Sequence, residues 1–397
     1  MTQPSPAGLF SRDFGLIWIT SFAGFLSFYL IQQPTLPLYV QHLGGSAAVI
    51  GWIGGAFSVT TLIFRPFVGR AVDLVGRRII VLAGGALFVL CAPLYAVVTS
   101  IPLLILVRML HGSGMALFTT STTTYATDLA PAGRRAELIS YFGIGNNLAL
   151  GLGPLGASLL IVGGVGYGTV FFIASAVAVV TLLAMAPAGE SPHVRTLPGP
   201  WTFDSLVNRR ALAPAGVMLS IAFTYGALAT FLAVSVAQSG LAKSVNAWFW
   251  LVYATTLILV RLFSGRLADR FGRAAAIVPG MVTVTAAMAL VAALHTLAGL
   301  LCAAGLYAAG FGLAYPALLA LTVDRVGDSS RGTAMATFSV SFDVGIGIGA
   351  MLSGLLAGAV GYAGMYGIAA VVPLLGLGGF IAVGRRDRRR PATDVAG

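Results

Sequence analysis

Charged residues are scarce in this chain of 397 residues. Asp, Glu, Lys and Arg together make up only 9% of it, whereas a soluble domain carries about 25%. Because so few charges cannot cover a globular surface, the composition excludes a large soluble protein. Hydrophobic residues account for 58% of the chain. Apolar runs of about 20 residues, the length of a bilayer-spanning helix, recur throughout it.

Other absences narrow the class of protein. Cys91 and Cys302 are the only cysteines and both fall inside predicted spans, so we predict no disulfide framework. The sequence has no H-E-x-x-H motif, no paired aspartates and no nucleotide-binding loop with G-K-[ST]. These absences argue against an intramembrane enzyme and against ATP-driven pumping. We therefore predict an all-α membrane protein that is not an enzyme and uses no cofactor or metal.

Breaks at charged residues, proline and glycine predict twelve transmembrane helices. The first apolar run starts at Phe14 and no small-residue cleavage site follows it, so we interpret it as a helix and not as a signal peptide. The longest polar interval divides the chain into an N-terminal six-helix bundle (1–187), a linker (188–210) and a C-terminal six-helix bundle (211–397). The predicted spans are 14–40, 46–66, 79–99, 101–126, 137–162, 166–187, 211–237, 245–265, 274–296, 298–323, 332–357 and 361–384.

The positions of the basic residues predict the orientation in the membrane. Nearly all of them precede the first span, follow even-numbered spans, or lie in the linker and the tail. Because cytoplasmic loops carry the positive charge, both termini are predicted to be cytoplasmic. The excess of arginine over the single Lys243 favours a bacterial source, and hence the bacterial inner membrane. The net charge of +11 is therefore a signal of topology, and no nucleic-acid partner is expected.

The chain contains an internal repeat with a constant offset of 196 residues. RPFVGRAVDLVGRR at 65–78 is nearly repeated by RLFSGRLADRFGR at 261–273, and the same offset relates Asp128 to Asp324. A constant offset over separated spans indicates duplication of a six-helix unit. Parallel halves with a binding site at mid-depth between them are a standard plan of transporters.

These motifs resemble those of the major facilitator superfamily. GRAVDLVGRR (69–78) and GRLADRFGR (265–273) resemble its loop motif G-x-x-x-D-x-x-G-R-[KR]. RMLHGSGMA (108–116) is similar to its fourth-helix motif R-x-x-x-G-x-G-x-A. GLGPLG (151–156) is similar to the fifth-helix motif G-x-x-x-G-P-x-x-G-G of antiport exporters, with alanine at two glycine positions. The resemblance covers the whole chain and implies two pseudo-symmetric six-helix bundles.

The resemblance implies that the loop motifs gate the conformational change. Asp73 would reach the start of span eleven near residues 329–330, and Asp269 the start of span five near residues 132–133. Such contacts would hold the cytoplasmic side shut; a solvated loop that only sets topology is the alternative. The predicted gating residues are Gly69, Asp73, Gly76, Arg77, Gly265, Asp269, Gly272, Arg273, Gly153 and Pro154.

Particular geometries explain the glycines and the proline of this set. Gly69 is expected to allow a close approach of two helices, and Gly76 to allow a turn conformation. In the fifth span, Gly153 and its neighbouring glycines are expected to permit close helix contact. Pro154 is expected to bend that helix. Ordinary glycine-rich packing is the alternative interpretation.

Arg108 is the most informative buried cation. It lies about 7 residues past the start of the fourth span, roughly 10 Å deep, so it must face the bundle interior and have partners. Gln32 and Gln33, beside the Pro34 break, are expected at a similar depth. By resemblance, this arginine is linked to proton movement; it would tune a nearby group or bind an anionic substrate, because arginine stays charged. Cross-linking of helices one and four is the alternative, and His111 lies one turn further on.

Asp343 is the only carboxylate deep within a predicted span. It lies about 12 residues into span eleven, near 18 Å. Removal from water favours the protonated form of a carboxyl, so Asp343 could bind and release protons or pair with a cationic substrate. A neutral packing residue is the alternative. The other polar residues predicted to line a cavity are Asn146, Asn147, Tyr225, Tyr253 and Tyr307.

These features together predict a secondary active exporter. We expect proton entry to drive efflux of an amphipathic small molecule by alternating access between the two halves. An exporter of a specific metabolite, sugar or metallophore, a proton symporter, and a non-transporting sensor remain alternatives. The expected partners are a small-molecule substrate, protons and membrane lipid, and the expected state is a monomer.

Overall fold

The regular secondary structure of the described residues is entirely helical. The computed structural model describes residues 11–131, 134–191, 207–242, 244–326 and 331–389. A π-helical segment, Ile31–Thr35, joins α1 to α2, and a short 3-10 helix precedes α8. The α-helices are α1 Arg12–Leu30, α2 Leu36–His42, α3 Ala47–Val75, α4 Arg77–Val97, α5 Ile101–Asp128, α6 Arg135–Val162, α7 Tyr167–Met185, α8 Leu212–Gln238, α9 Ser244–Phe271, α10 Ala274–Ala293, α11 Leu297–Asp324 and α12 Arg331–Arg389.

These helices supply the predicted membrane crossings. Within the described ranges, eleven helical stretches are long and apolar enough to span a bilayer. The first, Arg12–His42, joins α1 and α2 into one crossing. The last, Thr333–Ala382, has 50 residues, more than twice the ~20 that one crossing needs. Gly361 interrupts it with φ 72° and ψ 173°, so α12 contains two crossings. The predicted all-α fold with twelve spans is confirmed.

Several helices begin where a small hydroxyl residue caps them. The side-chain oxygens of Ser11, Ser46 and Thr296 each accept a hydrogen bond from the backbone N–H three residues on, at 3.1, 3.4 and 3.2 Å. Each oxygen satisfies one of the N–H groups that a helix start leaves without an intrahelical acceptor. These caps fix the starts of α1, α3 and α11.

The chain forms two compact units. Unit 1 takes its described residues from Met1–Pro200 and Ala229–Thr255, and unit 2 from Trp201–Leu228 and Thr256–Gly397. The C-terminal part of α8 and the N-terminal part of α9 thus belong to unit 1. The predicted division into two six-helix bundles at residues 188–210 stays a prediction.

The 196-residue repeat appears as equivalent helix contacts within each unit. In unit 1, a Cβ added to Gly84 on α4 would lie 3.0 Å from the Gly114 carbonyl oxygen on α5. In unit 2, a Cβ added to Gly280 on α10 would lie 2.8 Å from the Gly310 carbonyl oxygen on α11. Both pairs are separated by the repeat offset, because 280 − 84 and 310 − 114 are both 196. Glycine therefore permits the same close backbone contact twice.

A second contact between corresponding helices involves the glycine-rich motif: Gly153 and Gly349 are 196 residues apart, although the residues they contact, Tyr29 and Phe223, are 194 apart. In unit 1, a Cβ on Gly153 of α6 would lie 2.5 Å from the Tyr29 Cβ on α1. In unit 2, a Cβ on Gly349 of α12 would overlap the Phe223 carbonyl oxygen on α8. The predicted role of Gly153 in close helix contact is confirmed, and Pro154 lies inside α6.

Candidate functional site

Arg108 is enclosed within unit 1. Its side chain projects from α5, and the residue is only 1% exposed. One terminal nitrogen donates a hydrogen bond to Gln32 Oε1, which confirms the expected proximity of α5 to the break in the first span. The guanidinium carbon lies 4.2 Å from the centre of the Phe57 ring, a cation–π contact on the neighbouring α3.

The π-helical segment explains why amide groups occur beside this arginine. Pro34 has no backbone N–H, and Gln33 has the non-helical angles φ −145° and ψ 114°. The break in regular helix brings Gln32 to Arg108. Gln33 is also buried, and its side-chain amide has no hydrogen-bond partner in the part of the chain that the structure describes.

His111 lies one helical turn after Arg108 in an aromatic environment. Its Nδ1 lies 3.3 Å from the Tyr95 hydroxyl, and its ring packs nearly edge-on against Phe88 at 5.0 Å and Phe57 at 5.8 Å between centroids. The histidine is completely buried. Its polar surroundings therefore consist of one phenol and the nearby guanidinium. Tyr95 was not predicted from the sequence.

Two asparagines of α6 also lie in unit 1. Asn146 Oδ1 accepts a hydrogen bond from the Tyr29 hydroxyl at 3.4 Å, and Asn147 is 6% exposed. Further along α6, Ser158 accepts a hydrogen bond from Asn246 of α9 at 3.4 Å. These contacts join α6 to α1 and α9 in unit 1 and are consistent with interhelical hydrogen bonding.

Asp343 is buried within unit 2. It lies on α12, about 18 Å from Arg331 along the helix axis, and is 8% exposed. The preceding residue, Phe342, belongs to an aromatic cluster with Tyr225, Phe311 and Tyr315, whose ring centres lie 6.3–6.4 Å from that of Phe342. A carboxylate and an extended aromatic surface thus occur at neighbouring positions of one helix.

The other two predicted tyrosines occupy buried positions. The hydroxyl groups of Tyr307 and Thr224 are 2.8 Å apart and link α11 to α8. The Tyr253 ring packs edge-on against Trp250 at 5.4 Å. Tyr307 is fully buried and Tyr253 is 1% exposed. Both rings therefore contribute to helix packing in this structure.

The first loop motif (69–78) contains an arginine that contacts two aspartates. Arg77 Nε lies 2.9 Å from Asp128 Oδ2, and Arg77 Nη2 lies 3.3 Å from Asp73 Oδ1. The Arg77 side chain is only 8% exposed, whereas that of Asp73 is 41% exposed. Arg77 thereby ties the end of α3 to the end of α5 through charge-assisted contacts.

The second loop motif (265–273) repeats this arrangement in unit 2. Arg273 Nε lies 3.0 Å from Asp324 Oδ2, and Arg273 Nη1 lies 2.6 Å from Asp269 Oδ1. Hydrogen bonds to Asp324 and Asp269 raise the pKa of Arg273. The offset of 196 between Asp128 and Asp324 was visible in the sequence, but their pairing with the loop arginines was not predicted.

Unit 1 adds a carboxylate that was missed from the sequence. Glu190, just after α7, accepts hydrogen bonds from the backbone N–H groups of Arg77 at 2.7 Å and Arg78 at 3.2 Å. It therefore caps the start of α4, where unpaired N–H groups favour an anion. A Cβ on Gly76 would lie 2.7 Å from Glu190 Oε2. Its position directly after the sixth span was the available signal.

The glycines of the two loop motifs divide into two groups. Gly76 has φ 116°, so its predicted turn conformation is confirmed, and Gly272 repeats it with φ 87°. A Cβ added to Gly69, or to Gly265, would meet no atom of the described residues within 4 Å. The close helix approach expected at Gly69 is therefore not seen among the described residues and stays a prediction.

The predicted partners of the loop aspartates lie outside the described residues. The structure does not describe residues 329–330, which were expected near Asp73, or residues 132–133, which were expected near Asp269. The gating contacts that the resemblance implies therefore stay predictions.

Comparison with known families identifies the chain. The family model described as Major Facilitator Superfamily matches residues 17–234 and 214–396. The chain belongs to the Major Facilitator Superfamily. This confirms the predicted resemblance and makes the protein a multi-pass membrane transporter and not an enzyme.

Two relatives show how far the similarity to other superfamily members extends. An uncharacterized MFS-type transporter of Methanocaldococcus jannaschii is 24% identical over 376 residues, which cover 93% of this chain and 97% of the relative. Multidrug resistance protein 2 of Bacillus subtilis is 30% identical over 159 residues. That match covers 40% of this chain and only 39% of the Bacillus protein.

A solved superfamily structure supports the fold independently. The crystal structure of the nucleoside transporter NupG aligns with a TM-score of 0.75 at 15% identity. The alignment covers 94% of this chain and 100% of NupG. At this identity, the similarity shows that the two proteins share a fold.

Proposed function

We propose that this transporter is a proton-coupled efflux antiporter of amphipathic small molecules in a bacterial inner membrane. The observation that carries the proposal is Asp343, a carboxylate that is 8% exposed and about 18 Å along a membrane-spanning helix. A charged carboxylate is costly at such a depth, so the surroundings favour its protonated, neutral form. Alternation between the two forms can couple proton entry to cargo exit.

The aromatic cluster beside Asp343 supports an amphipathic cargo. Tyr225, Tyr315 and Phe342 are each half-buried, so part of each ring stays accessible. Such rings offer apolar surface, and the tyrosines add hydroxyl groups that can orient a ligand. The similarity to Multidrug resistance protein 2 over two fifths of the chain supports the same class of cargo.

Arg108 supports coupling in a different way. Arginine does not release its proton near neutral pH, so it acts through its positive charge on neighbouring groups. His111 and Tyr95 form the polar pair next to it. We place the proton-binding carboxylate at Asp343 and assign to Arg108 an electrostatic role on cargo and neighbours.

Transport by purified protein tests the proposal. The full chain is reconstituted in lipid vesicles, a pH gradient is imposed, and accumulation is measured across a panel of amphipathic dyes and drugs. Antiport predicts accumulation only when the compartment receiving cargo is the more acidic one. Accumulation under the reversed gradient would indicate a symporter. Uptake confined to one sugar, metabolite or metallophore would indicate a narrower exporter.

The gating proposal gives a prediction at Asp73. Its side chain is 41% exposed and forms one ion pair, with Arg77 at 3.3 Å, so its loss should change the stability by less than about 1 kcal/mol. If it also stabilises one transport state, Asp73→Asn should slow transport by about fivefold or more. Initial rates in vesicles and thermal unfolding in detergent measure the two effects.

Glu137→Gln is the matched control for Asp73→Asn. Glu137 forms an exposed ion pair with Arg134 at 2.8 Å and has no proposed role in gating. This variant should transport at the wild-type rate. Unchanged transport by Asp73→Asn would remove Asp73 from the gate.

A further inference from the structure

Arg108 is a buried cation that makes no ion pair with the described residues of unit 1. Its Nε and Nη1 have no partner within strict hydrogen-bond geometry in the described part of the chain, although the neutral Tyr95 hydroxyl is close enough for a looser hydrogen bond to the guanidinium. An enclosed charge without a counter-charge is strongly destabilising, so the environment of Arg108 favours an anion. The described acidic residues of unit 1, none of which pairs with Arg108, are Asp13, Asp73, Asp128, Glu137 and Glu190.

A small cavity is lined in part by this arginine. Its polar lining comes from Arg108, Gln32 and Thr230, and its apolar lining includes Val40 and Ile53. Its volume is about 10 Å³, which accommodates about one water-sized group. One negatively charged oxygen fits this space, whereas a whole phosphate group is too large.

We infer that Arg108 and Gln32 form a subsite for a carboxylate group of the cargo, with one carboxylate oxygen in the cavity. The guanidinium supplies charge-assisted hydrogen bonds from Nε or Nη1. Gln32 accepts from Arg108 and thereby holds the guanidinium in position. Because the cavity holds about one oxygen atom, the hydrophobic body of an amphipathic acid would lie outside it. The inference rests on the proposed function for the identity of the ligand as cargo, and it narrows that cargo to amphipathic carboxylates.

The same negative charge could come from an inorganic anion. Chloride is also small and monovalent, and a buried cation attracts it for the same electrostatic reason. A carboxylate differs because it carries an apolar body, and the burial of that body adds to its affinity. Two probes with the same apolar body, of which only one carries a carboxylate, therefore distinguish a carboxylate subsite from a site for an inorganic anion.

Equilibrium binding to the purified full chain in detergent tests the subsite. The probes are 1-pyrenebutyrate and its uncharged counterpart 1-pyrenebutanol, followed by pyrene fluorescence. Wild type should bind the carboxylate about tenfold more tightly, because only the carboxylate accepts charge-assisted hydrogen bonds from the guanidinium. Arg108→Gln should reduce this preference to about twofold or less, and Arg108→Lys should retain an intermediate preference. Arg134→Gln, the same change at an exposed arginine paired with Glu137, should leave it at the wild-type value.

Three outcomes would overturn the subsite. The first is equal binding of the two probes by wild type, which needs no variant and decides the matter even if Arg108→Gln does not fold. The second is a preference for the carboxylate probe that is as large in Arg108→Gln or Arg108→Lys as it is in wild type. The third is loss of the wild-type preference when sodium chloride replaces sodium sulfate at equal ionic strength, which would assign the cavity to an inorganic anion. Because binding needs no pH gradient, these results are independent of whether the protein couples transport to protons.

Discussion

Asp343→Asn is expected to abolish accumulation of cargo driven by a pH gradient. Asparagine has nearly the shape of aspartate but cannot bind and release a proton near neutral pH. The site on α12 would therefore remain permanently neutral, and proton entry could no longer be linked to cargo exit. Accumulation in vesicles should fall to the level of protein-free vesicles, while cargo can still move down its own gradient.

Two controls separate coupling from folding in this experiment. Asp13→Asn makes the same chemical change in the first turn of α1, and Ser341→Ala removes a buried hydroxyl two residues from Asp343. Both variants should still accumulate cargo. The observation that would exclude Asp343 as the proton site is a folded Asp343→Asn protein that concentrates cargo as wild type does.

Gly349→Ala is expected to cause the largest loss of stability. A Cβ at this position would overlap the Phe223 carbonyl oxygen and lie 2.8 Å from the Phe223 Cα. Both are backbone atoms of α8, so relief requires α8 and α12 to move apart. Gly226 makes the reciprocal contact, since its added Cβ would overlap the Ile346 carbonyl oxygen. Overpacking of this kind costs about 1–3 kcal/mol, and sometimes more.

Gly358→Ala on the same helix is the matched control. A Cβ there would meet no described atom within 4 Å, and alanine in a helix interior is more favourable than glycine by up to about 1 kcal/mol. The two variants should therefore change the thermal unfolding temperature in opposite directions. Equal changes in the unfolding temperature at Gly349 and Gly358 would contradict the close contact of α12 with α8 at Gly349.

Regular features of the sequence predicted the fold well. Apolar length determines a membrane crossing, so the spans could be identified without tertiary information. The proximity of Arg108 to Gln32 was expected from their similar depth in the membrane, because a buried cation needs polar groups at the same depth. The offset of 196 residues anticipated equivalent contacts, and Gly84 and Gly280 make them in units 1 and 2.

Contacts between distant segments could not be predicted in the same way. Glu190 caps α4 across more than 100 residues of chain, and its position directly after the sixth span does not specify that partner. The Tyr95–His111 contact requires the rotation of α4 relative to α5, which apolar runs do not specify. Glycine at a motif position, such as Gly69, does not reveal which face of the helix meets a neighbour.

The repeat also shows where the two units differ in chemistry. His111 corresponds to Tyr307 and Asn147 to Asp343 by the offset of 196. Tyr307 hydrogen-bonds within a buried helix contact, whereas His111 adjoins the Arg108 cation. A duplicated scaffold thus carries the proposed anion subsite in unit 1 and the proposed proton site in unit 2, at positions where the two repeats carry different residues.

Proton movement driven by cargo tests antiport most directly. Vesicles containing the purified protein and a trapped pH-sensitive dye are loaded with cargo and diluted into cargo-free buffer of the same pH. Antiport predicts that cargo leaving the vesicles brings protons in, so the interior becomes more acidic, and that Asp343→Asn vesicles show no such change. An interior that becomes alkaline, or that keeps its pH while cargo leaves, would contradict proton antiport.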